Sequence, residues 1–444
     1  MDLRGNYRVQ WMSVARDKCS MGALTTLTLA LTLGCGAQVS TPNESEQFLS
    51  DRAYRRRELE LSLVNAGDGY AQLRLAHYAT GTASDWDRLP EWNPETAAVS
   101  AEFLETGSAE SNAAPTALDL PDPNDEDALR AFGKLAFSRF PVQLAPYLSV
   151  TLGSPAAAAR YGLWVDETRG VGGLVRARLA DGSLALALTC SSCHAARTTS
   201  GVEDGLPNTA LDLGAAIVAA PGSALEPEIA AHFAAWGPGR LDVTTSTGLE
   251  PARIADLRAT RFQTNLQQDA TLSMRGETTL AIRIETLLIT SSGQVVRPPR
   301  VVALALAAYV DSLSNALPSS TSADAAAPLG ERIFEATCAS CHSSATLSGP
   351  AVPLELIGTD ETLGLSSERG TGMYRVPSLH GVGTRGPLLH DGSLPSLAAM
   401  FDPARETSAF AQRLHGTGAV KGHRFGLDLS EADRVALIGY LSLL

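Results

Sequence analysis

Two five-residue units, Cys190-Ser191-Ser192-Cys193-His194 and Cys338-Ala339-Ser340-Cys341-His342, constrain this chain more than any other feature of its sequence. Thiols three residues apart on a tight helical turn reach the two vinyl groups of a haem and form thioethers. The histidine that follows turns its ring to the iron as the proximal ligand. Each unit therefore predicts one covalently attached haem c, with Cys190, Cys193, Cys338 and Cys341 carrying the thioethers and His194 and His342 on the metal. Cys-x-x-Cys pairs also hold zinc. That alternative must explain why a histidine follows both pairs directly in a chain with only eight histidines.

The other two of the six cysteines, Cys19 and Cys35, lie in a segment that reads as an export signal. Arg16 and Lys18 precede an apolar stretch from Gly22 to Gly34, too short for a membrane span and suited to a signal sequence. It ends at Leu33-Gly34-Cys35-Gly36, which is similar to the lipobox of bacterial lipoproteins, with Thr32 where the usual leucine stands. Lipid on Cys35 would tether the protein to a membrane; cleavage near Ala37 would release it. An exported chain needs a use for its remaining cysteines, and haem thioethers provide one. These readings predict a bacterial periplasmic protein with a signal peptide over 1–35. The net charge of −13 argues against nucleic acid as a partner.

Residues 36–127 read as a polar tether followed by an acidic, loop-rich arm, with one helix from about Arg55 to Tyr78. Two units of similar design follow, at 128–317 and 328–444, joined by a Ser- and Ala-rich linker over 318–327. Each opens with a Gly-x-x-x-Phe helix, Gly133 and Phe137 in one and Gly330 and Phe334 in the other. Each closes with a helix that presents a tyrosine, Tyr309 or Tyr440. Ser430 is a good N-cap for the last helix, with Glu431 and Asp433 in its first turn. The first unit holds an insertion whose strand-like runs flank Asp181-Gly182, a hairpin signal ahead of the first haem motif.

The second unit carries Tyr374-Arg375-Val376-Pro377-Ser378-Leu379-His380-Gly381-Val382, then Gly386-Pro387-Leu388-Leu389-His390-Asp391-Gly392-Ser393, then Ser396-Leu397. Together with the two haem motifs, this pattern resembles the di-haem c-type cytochrome superfamily of bacterial di-haem cytochrome c peroxidases, MauG-type enzymes and rubber-oxygenase-like cytochromes. The resemblance covers about 128–444. It implies a mainly α fold of two class I cytochrome c-like domains in tandem, with the β-hairpin inserted before the first haem motif. In that fold the first and last helices of a domain cross closely, which sets Gly133 and Phe137 against Tyr309, and Gly330 and Phe334 against Tyr440. His380 replaces the arginine usual in the signature. The histidine that the peroxidases place soon after the first motif has no counterpart in Ala195 to Gly214.

For the second iron the candidate distal ligands are His423, Met400, His390 and His380. Met400 has the separation from His342 that a class I cytochrome c uses. His423, in Gly422-His423-Arg424-Phe425-Gly426, matches the rubber-oxygenase-like branch. For the first iron, His232, Met274 or an open position remain. Trp236 is a candidate for lying between the haems or for a packed core residue. The leading functional expectation is electron transfer between periplasmic redox proteins. The alternative is a peroxidase or oxygenase that activates peroxide or dioxygen at an open first haem, with His232 or Glu203 as acid–base help.

Overall fold

The computed structural model describes residues 43–78, 85–107, 113–145, 148, 153–220, 225–242, 250–317, 327–343 and 345–444. The expected signal, Cys35, the start of the tether and the linker over 318–326 lie outside the described residues. Among them no helix is long and apolar enough to cross a membrane.

In chain order the elements that matter here begin with α1 (Glu44–Ser50), α2 (Arg52–Ser62), α3 (Gly69–His77), β1 (Thr96–Ala98) and α4 (Glu126–Arg139). There follow β2 (Gln143–Leu144), β3 (Leu174–Arg178), β4 (Leu184–Leu188) and α5 (Cys190–His194). Then come α6 (Glu277–Ser291), α7 (Arg300–Ser312), α8 (Ala327–Thr337) and α9 (Glu431–Leu441).

The tether and loop-rich arm expected over 36–127 needs correction. From residue 43 the segment folds into the body of the protein. Asn43, Asp51 and Asp68 cap three successive helices through side-chain oxygens that accept from backbone N–H groups. The single helix expected from Arg55 to Tyr78 is broken between Ser62 and Gly69, where Asp68 starts a new one. Phe48, Leu59, Trp86 and Leu118 are buried in the same core as Phe137 and Leu304. The acidic residues misled because two of them are counter-ions: Asp85 and Asp87 pair with Arg52, and Asp87 pairs also with Arg55 and Arg300.

The two helix crossings are built as their glycines require. In α4, Gly133 lies so close to α7 that a Cβ there would stand 2.0 Å from the Ala305 carbonyl oxygen and 2.7 Å from the Tyr309 Cβ. In α8, Gly330 lies against α9 in the same way, 2.2 Å from the Ala436 oxygen and 2.6 Å from the Tyr440 Cβ. One turn further along, the aromatic rings meet: Phe137 and Tyr309 edge to face at 5.4 Å, Phe334 and Tyr440 tilted at 5.4 Å. Ser430 caps α9, its Oγ accepting from the Asp433 N–H at 3.2 Å.

The insertion in the first unit contains the expected hairpin. β3 and β4 pair antiparallel from Leu174↔Leu188 to Arg178↔Leu184 around the Asp181-Gly182 turn. Gly182 takes φ +83°, and Asp181 Oδ1 accepts from the Ser183 N–H at 2.9 Å. The pair is widened by β1 on one side and β2 on the other, giving a four-stranded sheet in the order β1-β3-β4-β2. β1 comes from the segment expected to be irregular, so its partner strand supplied what its own sequence did not announce.

At the start of α6, burial pushes the Glu277 carboxyl up to about 7, helped by the nearby Asp311 and Glu126 charges. A carboxyl whose folded value is raised favours the folded state while protonated and loses that advantage as pH rises through the folded value. Glu277→Gln is therefore expected to raise the melting temperature at about pH 8 and to leave it unchanged at about pH 4. Thermal unfolding at the two pH values checks this; equal effects at both would contradict the burial of the charge.

Candidate functional site

The first Cys-x-x-Cys-His unit sits where β4 turns into α5. Thr189 ends the strand; its Oγ1 donates to the Gly173 carbonyl at 2.7 Å, and its N–H donates to Ser192 Oγ at 3.2 Å. Gly173, at φ +64°, lets the hairpin press onto the motif, since a Cβ would lie 2.3 Å from Ser191 Oγ. The two thiols face different surroundings. Cys190 packs on the core that contains Phe137 and Leu280, and Cys193 on the cluster that contains Leu211 and Trp236. The motif therefore straddles the seam between two apolar bodies.

His194 Nδ1 lies 2.9 Å from the Ala255 carbonyl oxygen. A carbonyl accepts, so Nδ1 carries the proton and Nε2 keeps its lone pair free, the tautomer a metal ligand needs. Burial holds the imidazole neutral, its pKa down at about 4. Burial also pushes the Cys190 and Cys193 thiols up to about 12, so neither is poised as a nucleophilic thiolate.

The second unit follows α8 directly. The Cys338 N–H donates to the Phe334 carbonyl at 2.8 Å, and the His342 N–H to the Cys338 carbonyl at 2.9 Å. His342 Nδ1 faces the Leu347 carbonyl at 3.2 Å and the ring also meets the Pro377 backbone; with the proton on Nδ1, Nε2 would keep its lone pair. Cys338, Cys341 and His342 line a cavity of about 170 Å³ whose other walls are largely apolar.

Three of the four candidate distal ligands for this site, His390, Met400 and His423, line the same cavity, and the last two are held by one residue the sequence reading missed. Arg405 has no exposed surface. Its guanidinium donates to the carbonyls of Met400 (2.8 Å), Val420 (2.6 Å), Gly422 (2.7 Å) and His423 (2.9 Å). Gly422, at φ +82°, brings the loop so near 358–359 that a Cβ would stand 2.3 Å from the Thr359 nitrogen. His423 itself takes φ +45°, and its N–H donates to the Ile357 carbonyl at 2.6 Å. Its ring is neutral, the pKa pushed down to about 4 by burial and then by the nearby His342, so the two imidazoles are electrostatic neighbours. His423 Nδ1 is buried without a hydrogen-bond partner.

The other candidates fare differently. His390 lines the cavity with its ring stacked on Tyr374 at 4.3 Å. His380 is not among the lining residues; its Nε2 faces the Ala345 carbonyl at 2.9 Å and its ring lies tilted against Phe262 at 4.2 Å. On the first unit's side, Met274 is half-buried against the core that also holds Cys190. His232 forms an aromatic group with Phe233 and Trp236, and its Nδ1 is buried without a partner. Trp236 is packed into the cluster that Cys193 touches. Glu203 needs correction as an acid–base candidate. It sits exposed on a hairpin, where its carboxylate accepts from Thr198 Oγ1 at 2.5 Å and Ser200 Oγ at 2.6 Å. Those hydrogen bonds lower its pKa and keep it ionised.

Three arginines, Arg253, Arg375 and Arg385, also line the cavity. Burial pushes Arg375 down to about 9 and Arg253 to about 10, and the neighbouring guanidiniums add to both effects. The Nε atoms of Arg375 and Arg385 lack hydrogen-bond partners, though Arg385 lies 3.8 Å from Asp256. Arg375 stands in the quoted signature and Arg385 lies between its first two quoted parts; nothing local marks Arg253, which comes from a distant segment. Among the described residues no three His, Cys, Asp or Glu side chains converge to hold a bare metal ion.

No family of known proteins matches the sequence, and no curated protein matches it either. Among solved structures the chain is similar to one titled "Crystal structure of a MauG-like protein associated with microbial copper homeostasis". The identity is 16%, the TM-score 0.33, and the match covers 47% of this chain and 78% of that one.

Proposed function

We propose that this chain is an exported di-haem c-type cytochrome, made of two class I cytochrome c-like domains over 128–317 and 328–444, that passes single electrons between redox proteins. The observation that carries the reading is the cavity at the second motif. Two thiols and an imidazole with a free Nε2 share an apolar pocket with a second imidazole, His423, and with the Met400 thioether. The residues fit the group. Cys338 and Cys341 would hold its vinyl carbons, and His342 and His423 would bind the iron. Arg253, Arg375 and Arg385 would answer its carboxylates, with Arg253 Nε also held by the Leu389 carbonyl and Arg385 Nη1 by the carbonyls of Ser378 and His380. Haem, when bound, supplies an iron that exchanges one electron between ferrous and ferric states.

The chain's own residues would set how it does so. The largely apolar walls would surround the group, and the Leu347 carbonyl would orient His342. Arg405 holds the loop that presents His423, so His342 and His423 would together hold the second iron. A filled, rigid site suits a carrier, because little rearranges when the electron moves.

Protein made in a host with cytochrome c maturation machinery is expected to be red and to keep two haems per chain through acid–acetone extraction. His423→Ala should turn one haem high-spin while Met400→Ala leaves it low-spin. Colourless protein, or pigment that extracts, would end the reading. A high-spin haem in the unaltered protein that binds carbon monoxide and turns over peroxide would replace the carrier with an enzyme.

A further inference from the structure

One short stretch of chain joins the first Cys-x-x-Cys-His unit to the cavity at the second. His194 Nδ1 donates to the Ala255 carbonyl at 2.9 Å, and two residues earlier the half-buried Arg253 side chain lines the cavity. Two residues of chain span at most about 7 Å. The stretch is fixed from both sides. On the first unit's side, the Gly205 N–H donates to the His194 carbonyl at 2.7 Å, the Leu257 N–H to the Gly205 carbonyl at 2.8 Å, and the Ile254 N–H to the Gly239 carbonyl at 2.8 Å. On the second unit's side, the Arg253 N–H donates to the His390 carbonyl at 3.0 Å and its Nε to the Leu389 carbonyl at 2.7 Å. Gly392 lets the two segments approach, since a Cβ there would stand 3.1 Å from the Arg253 Cβ.

A second link leaves the same stretch. Asp256 is buried, and its Oδ2 lies 3.8 Å from the Nε of Arg385, which also lines the cavity. Ile254 belongs to the apolar cluster on which Cys193 packs. Residues 253–256 therefore meet the proximal imidazole of the first motif on one side and two cavity-lining guanidiniums on the other. Trp236, the aromatic candidate for a place between the haems, sits in the Cys193 cluster but is not among the residues that line the cavity.

Electron tunnelling falls off less steeply along covalent and hydrogen bonds than across gaps between packed atoms. We propose that residues 253–256 are the electron bridge between the two haem sites, running from the His194 ring through the Ala255 carbonyl and the backbone to the Arg253 side chain. One electron leaves a ferrous iron at His342, which becomes ferric, and reaches a ferric iron at His194, which becomes ferrous. No bond forms or breaks, and no proton moves. The inference rests on the haem reading above and deepens it. The two units act as one carrier, and Arg253 is the residue of the first unit that carries the route into the second.

Flash reduction of the oxidised holoprotein tests it, with both midpoint potentials measured for each variant so that rates are compared at equal driving force. Visible absorption follows the electron as it redistributes between the haems, the second being the one that responds to His423→Ala. Arg253→Gln is expected to slow the redistribution severalfold. Arg253→Lys, which keeps the charge and part of the reach, should slow it less, and it decides the matter if Arg253→Gln does not fold. Trp236→Phe should leave the rate unchanged. A wild-type rate in a folded Arg253 variant would overturn the proposal. So would a severalfold loss in Trp236→Phe, since that would put the route through the indole. A wild-type protein with fewer than two covalent haems would instead remove the reading on which the proposal stands.

Discussion

Gly133→Val is expected to cost this protein about 3 kcal/mol or more of stability, a large part of the roughly 5–15 kcal/mol that holds a typical domain together. A Cβ at this position would lie 2.0 Å from the Ala305 carbonyl oxygen and 2.7 Å from the Tyr309 Cβ. Neither neighbour is a flexible side-chain end that can swing aside. α4 and α7 would have to separate, and the Phe137–Tyr309 contact would open with them. The cost spreads further because α7 is buried along most of its length, from Val302 to Val310. Gly330→Val should act in the same way on α8 and α9, where the Ala436 oxygen is 2.2 Å away. Leu135→Ala, on the half-exposed side of α4, is the matched control and should cost less than about 1 kcal/mol. Denaturant unfolding of the three variants measures this. A wild-type midpoint for Gly133→Val would mean that the helices do not cross as described.

Arg405→Leu should have the second large effect, of about 4 kcal/mol, and a more local one. The substitution leaves four buried carbonyls, on Met400, Val420, Gly422 and His423, without their charged donor, at about 1 kcal/mol or more each. Leucine fills only part of the volume and satisfies none of them. The loop over 420–423 has other anchors, chiefly the His423 N–H on the Ile357 carbonyl. Amide hydrogen exchange should therefore rise first over 418–426, while the crossing of α8 and α9 stays protected. Uniform acceleration through the C-terminal unit would show that Arg405 supports the whole unit rather than the loop that presents His423.

Much of the architecture was legible before any coordinates. The glycine-before-phenylalanine pattern, taken together with the family resemblance, pointed to both helix crossings, because a backbone approach this close admits no side chain and leaves glycine as its trace. Asp181-Gly182 marked the hairpin through turn chemistry that is local to a few residues. The segment from 43 to 127 was misread for the opposite reason. Short helices such as Glu44–Ser50 bury a single large residue, Phe48, and their charged residues look like solvated surface. Only the fold reveals that Asp87 answers Arg55 and Arg300.

The same division runs through the candidate site. The sequence alone determined the two Cys-x-x-Cys-His units and the short list that contained His423 and Met400, since thioether spacing and ligand chemistry are written in neighbouring residues. Which of those candidates shares a cavity with His342, and which residue holds them there, was decided by tertiary structure. Arg405, Arg253 and Arg385 carry no local mark, because a buried cation is defined by the backbone carbonyls that the fold turns toward it. Burial and convergence are properties of the packed molecule, and no stretch of sequence holds them by itself.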